Sequence, residues 1–120
     1  MFVDSHCHLT YEPLKDNIAK IIEKCDNAKV TNLLTIGTSI KSSLKCSEIS
    51  KKYKNIYSSV GIHPCEAHVE LDRDFEIKDL YKSSNKNIGY GETGLDFFYS
   101  KDNKKRQIDL FETHIQYAKE

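Results

Sequence analysis

Short apolar runs alternate along this chain with longer stretches in which apolar residues recur every three or four positions. Phe2 to Leu9 reads as a strand. Leu14, Ile18, Ile21, Ile22, Cys25 and Ala28 then follow at helical spacing, with Pro13 placed at the first turn, where its missing N–H costs nothing. Val30 to Gly37 is a second apolar run, and a weaker helical pattern passes through Leu44, Ile49 and Tyr53. Ile56 to Ile62 predicts a third strand, and Phe75, Leu80 and Tyr81 a helix after it. Ile88 to Glu92 predicts a fourth strand. From about Lys104, Ile108, Phe111, Ile115 and Ala118 fall on one helical face. Four strands alternating with four helices make an α/β chain, with a parallel sheet covered by helices.

Composition narrows this picture only modestly. Of 120 residues, 38% are apolar and 30% charged, which suits a folded, water-facing domain rather than a disordered chain. Eighteen basic residues balance eighteen acidic ones. A protein that holds nucleic acid by bulk charge has a basic footprint, so such a substrate requires a site that brings its own positive charge. Cys7, Cys25, Cys46 and Cys65 form no C-x-x-C pair, which excludes a zinc ribbon or a thioredoxin-type motif. There is no signal-peptide pattern at the start and no apolar run of the ~20 residues that a membrane span needs. These features predict free thiols and a cytoplasmic location.

Candidate chemistry gathers at the ends of the predicted strands. Residues two apart on a strand share a face, so His6 and His8, with Asp4, point together while Cys7 points away. Two imidazoles on a rigid strand suit a borderline divalent metal, although two polar strand-end residues could also be unliganded. Glu92 lies among Gly89, Gly91 and Gly94, which suggests close backbone approach or unusual dihedrals. It reads either as a metal-bridging carboxylate or as a helix cap or loop residue. His63 precedes Pro64, which restricts it to extended backbone at the sheet mouth, whether as a site residue or as a turn residue. All three lie at C-terminal ends of parallel strands, the edge where β/α proteins build their sites. By contrast, His68 and His114 read as surface or packing residues, Lys104-Lys105-Arg106 as a solvated helix start, and Phe97-Phe98-Tyr99 as packing.

Taken together, Asp4-Ser5-His6-Cys7-His8-Leu9, Val60-Gly61-Ile62-His63-Pro64 and Gly91-Glu92-Thr93-Gly94-Leu95-Asp96 resemble the TatD-related deoxyribonucleases. The helix carrying Arg106-Gln107, Phe111, His114-Ile115 and Ala118 is similar too, and order and spacing match from Phe2 to the last residue. The resemblance implies a TIM-type (β/α) barrel, of which residues 1–120 supply the N-terminal four β/α units as one partial domain. It also implies two divalent metal ions (Mg, Mn or Zn) and hydrolysis of phosphodiester bonds, usually in DNA. In this resemblance His6 and His8 hold one metal, Glu92 is the catalytic carboxylate that bridges the two, and His63 lines the substrate cleft. Asp96 matches a motif position without a role.

The family's remaining ligands, two histidines and an aspartate, come from later strands, so the site is expected to be incomplete here. A half-barrel has open strand edges and an uncovered inner face. Self-association or a complementary C-terminal half is therefore expected. Two other readings stay open. One is an amide or ester hydrolase of the related amidohydrolases, which also carry H-x-H but commonly place a lysine where Glu92 stands. The other is a non-catalytic remnant.

Overall fold

The computed structural model describes residues 1–70 and 72–120. Its elements run β1 (Phe2–Cys7), α1 (Ile18–Asn27), β2 (Val30–Thr35), α2 (Ile40–Lys52), β3 (Ile56–Val60), a short 3-10 turn (Pro64–Glu66), α3 (Asp74–Lys82), β4 (Asn87–Tyr90) and α4 (Lys104–Lys119). The strands form one parallel sheet in the order β1-β2-β3-β4. The expected alternation is thus present, with each strand ending two residues earlier than the apolar runs suggested. Pro13 lies before α1 rather than in its first turn, and the helix begins at Ile18. Among the described residues, no helix is long and apolar enough to cross a membrane.

Two apolar clusters fasten the helices to one face of the sheet. Leu9, Leu33 and Ile56 pack with Ile18, Ile21, Ile22 and Cys25 of α1. Ile40, Val60, Ile62, Ala67, Ile77 and Leu110 form the second cluster beneath α2, α3 and α4. Side-chain alternation places Leu34, Tyr57 and Ile88 on the other face, which none of these helices covers. Ile88, Phe2 and Val3 are more than half exposed.

α2 buries Ile40, Ser43, Cys46, Ser47 and Ser50, and leaves Leu44 exposed. Its inward face is small and polar, which is why its apolar periodicity is weak. Ser43 and Ser50 are bonded across the layers, whereas Ser47 Oγ has no partner among the described residues. Ser43 Oγ donates to Gly61 O (3.2 Å) and accepts from Gly61 N–H (3.1 Å). Ser50 Oγ meets Ser58 Oγ (2.9 Å), Ser58 Oγ donates to Asn87 Oδ1 (2.7 Å), and Asn87 Nδ2 donates to Leu80 O (2.7 Å). Buried polar groups are tolerated when paired in this way.

α4 also corrects its expected orientation. Gln107, Leu110 and His114 face inward, while Ile108 and Ile115 are exposed. Nor is Arg106 a solvated helix-start cation. Its guanidinium grips Asp74 with two bonds (2.8 and 2.6 Å) and reaches Ala67 O and Glu70 O. Such a fork is a shape that lysine cannot reproduce.

His114 is a packing residue, fully buried. Its Nδ1–H donates to Leu110 O (2.8 Å), so Nε2 is free to accept from Ile62 N–H (3.1 Å). Protonation would set a second donor against the Ile62 amide. Burial, the largest cause, pulls the His114 pKa below its ordinary value of 6.5 despite the Leu110 carbonyl. The unfolded chain therefore binds the extra proton first, and stability is present above about pH 6.5 and is lost as pH falls towards the folded pKa. Urea unfolding at pH 7.5 and 5.5 should show a wild-type advantage over His114→Gln that shrinks at the lower pH; an unchanged difference contradicts the assigned tautomer.

Candidate metal centre

The strand ends converge as the motif positions require. The end of β1 and the residue just past it deliver His6 and His8, the chain leaving β3 delivers His63, and the chain leaving β4 delivers Glu92. One ligand atom from each of His6, His8 and Glu92 lies within 4.8 Å of the others. Glu92 Oε2 is 3.6 Å from His6 Nε2 and 3.9 Å from His8 Nε2, and Glu92 Oε1 is 3.8 Å from His63 Nε2. These separations exceed hydrogen-bonding distance. They are near the roughly 3.4 Å that separates two donors bound to one tetrahedral ion at ~2.1 Å each. Two imidazoles and a carboxylate are also the donor chemistry that a divalent ion selects. The residues present therefore fit a metal, with His6, His8 and Glu92 to hold it.

Backbone packing fixes Glu92. Gly91 N–H donates to Val60 O (2.8 Å) and Glu92 N–H to Gly37 O (2.7 Å), tying the segment to the ends of β3 and β2. A Cβ at Gly61 would stand 2.6 Å from the Gly91 carbonyl carbon, so the residue just past β3 must be glycine where Gly91 passes. The crowding lies at Gly61; a Cβ at Gly89 or Gly91 would meet only ordinary contacts. Gly94, at φ +146°, has the unusual dihedral the sequence suggested.

His63 takes the extended backbone that Pro64 imposes and caps the short turn after it. Its Nδ1 accepts from Cys65 N–H (3.1 Å), so in the neutral ring the proton sits on Nε2, facing Glu92. His8 stacks on Tyr11, with ring centroids 4.9 Å apart, and Tyr11 Oη meets Thr38 Oγ1 at 2.9 Å. Tyr11, Thr38 and Glu66 join His8, His63 and Glu92 around a cleft of about 280 Å³. The sequence reading missed these three. Thr38 had a signal, as a polar residue just past β2, while Tyr11 and Glu66 had none. A larger cleft, about 590 Å³, lies between the start of α1 and the end of α2, away from these groups.

Asp4 does not join the cluster, because its Oδ1 accepts from His6 N–H (3.0 Å). Cys7 points away and donates to Leu34 O, and its thiol is pushed up to about 12, chiefly by burial and secondly by Asp4. It is therefore no thiolate ligand. All four cysteines are free. Asp96 builds a turn: its Oδ1 accepts from Phe98 N–H (3.0 Å) and Tyr99 N–H (3.1 Å). Those two amides, the Tyr99 one most, hold its carboxyl below the usual range.

A parallel β/α sheet thus brings two histidines and a carboxylate together at its C-terminal edge. The TatD-related DNase family model matches residues 3–120, and the chain belongs to that family. It is 38% identical to the uncharacterized metal-dependent hydrolase BU355 of Buchnera aphidicola, over 97% of this chain and 47% of that protein. It is 31% identical to the uncharacterized metal-dependent hydrolase YabD of Bacillus subtilis, over 100% and 47%. In fold it is similar to the crystal structure of YjjV, a TatD homolog of Escherichia coli (TM-score 0.91, 22% identity, 98% of this chain and 46% of that one). The chain spans about half the length of the curated relatives it matches.

Proposed function

We propose that this chain provides one side of a metal-dependent phosphodiesterase site whose substrate is DNA. The observation that carries the reading is the meeting of His6, His8 and Glu92 at the sheet's C-terminal edge, with His63 across the cleft. His6, His8 and Glu92 would hold the divalent metal, two imidazoles and a carboxylate serving as its donors. Bound metal supplies charge neutralisation of the phosphodiester and a lower pKa for attacking water. The protein groups position and exclude. Glu92 is anchored through its backbone, Tyr11 orients the His8 ring by stacking, and His63 Nε2–H faces the cleft as a donor for a phosphoryl oxygen. A metal-based site also suits a chain with no net charge to attract a polyanion.

The sheet face away from the helices and the edges of β1 and β4 are where a second copy of the chain or a complementary half would pack to cover the sheet. The test is cleavage of labelled DNA by sedimentation-resolved fractions of the 120-residue chain with Mg²⁺ or Mn²⁺, beside His6→Ala and Glu92→Ala. Metal-dependent cleavage in a self-associated fraction, lost in both variants, is the expected result. A folded, metal-loaded chain that leaves DNA intact in every fraction refutes activity from this chain without a complementary half.

A further inference from the structure

The loop between Glu92 and α4 carries aromatic side chains that the metal centre does not use. Phe98 and Tyr99 are 77% and 79% exposed, so they are not the packing cluster their composition suggested. Their rings stand edge to face, with centroids 4.8 Å apart and planes at 89°. Two large aromatics held in water cost free energy unless something covers them.

This exposure does not come from a loose loop. Asp96 Oδ1 takes both the Phe98 and Tyr99 amides. The fully buried Gln107 clamps the same turn from below: its Oε1 accepts from Asp96 N–H (2.8 Å), and its Nε2 donates to Asp96 O (3.0 Å), Ser100 O (2.9 Å) and Asn103 Oδ1 (2.9 Å). The rings are thus presented in advance, which lowers the entropy lost on binding.

Location and charge say what they meet. Asp96 Oδ2 accepts from Cys65 Sγ–H (3.6 Å), and Cys65 N–H binds His63 Nδ1, so the turn abuts the cleft wall. Lys101 and Lys104 follow the rings closely along the chain and form no ion pair among the described residues, and Lys104 Nζ lies 5.2 Å from the Phe97 ring centre. Lys105 is engaged with Asp109 (2.9 Å). Aromatic faces beside free cations, next to a phosphodiester site, match the way unpaired nucleic acid is held, with bases on rings and phosphates on lysines.

We propose that Phe98 and Tyr99 form a stacking platform for the unpaired bases of single-stranded nucleic acid entering the His6–His8–Glu92 site. This rests on the phosphodiesterase reading of that site. It assigns the platform to binding, so it is read without turnover. In a duplex the base faces are already stacked, so the platform discriminates against it.

The test is fluorescence anisotropy of an end-labelled oligothymidylate titrated with the chain in excess chelator, which prevents cleavage. Phe98→Ala and Tyr99→Ala are each expected to weaken binding about tenfold, within the range for loss of one stacked base. Phe98→Tyr should bind like the wild type, and a blunt duplex should bind more weakly than the single strand. Circular dichroism checks that the variants remain folded, as the exposure of both rings implies. Equal binding by the double alanine variant overturns the proposal, as does a wild type that does not bind the strand or prefers the duplex. Wild-type cleavage with Mn²⁺ is scored separately. Cleavage with no Phe98 or Tyr99 dependence of binding sinks the platform alone, whereas ring-dependent binding without cleavage sinks only the hydrolytic reading.

Discussion

Glu92→Ala is expected to lower Mn²⁺ affinity by more than the roughly 10–100-fold that losing an outer-shell partner costs. Glu92 is the only carboxylate in the cluster, and it faces both His6 and His8 Nε2. Without it, two neutral imidazoles remain, with no anion to balance the ion. Because Glu92 is partly exposed and accepts no bond from the core, the substitution should leave thermal unfolding of the metal-free chain nearly unchanged. Calorimetric titration of both forms reads the two effects apart. Equal affinity in wild type and variant would place the metal elsewhere.

Gly61→Ala should produce a large loss of stability beside the site. Its Cβ would come within 2.6–2.8 Å of the Gly91 C, Cα and O atoms, which are backbone and cannot rotate away. Ser43, bonded to both Gly61 N–H and O, blocks retreat towards α2. Overpacking of this kind costs about 3 kcal/mol. The strain falls on the segment that carries Glu92, so metal affinity should drop as well, although no ligand has been changed. Urea unfolding with and without Mn²⁺ measures both. An alanine variant that is stable and binds metal normally would show that the Gly61–Gly91 approach does not position the carboxylate.

The strand ends were legible because their chemistry and geometry are local. His6 and His8 share a face through the two-residue period of a strand, and Pro64 fixes His63 through its own ring. Glu92 was readable through Gly91 and the motif around it, although the glycine that its position demands is Gly61, far earlier in the chain. The inward faces of α2 and α4 were not legible from periodicity. Ser43, Ser50, Gln107 and His114 are buried because distant groups bond them: Gly61, Ser58, the Asp96 turn and the Ile62 amide. An apolar period cannot register such pairing. Arg106 misled for the same reason, since Asp74 lies 32 residues away. Tyr11 and Thr38 entered the cleft through a contact between two loops, and Asp4 left it by bonding its own strand.

Cobalt(II) absorption is the most direct test of the metal centre. Titrating Co²⁺ into the metal-free chain and into a His6→Ala/His8→Ala variant should give visible ligand-field bands in the wild type, shaped by imidazole nitrogen donors, that the variant lacks. Identical spectra from the two proteins would contradict the assignment of His6, His8 and Glu92 as the metal-holding group.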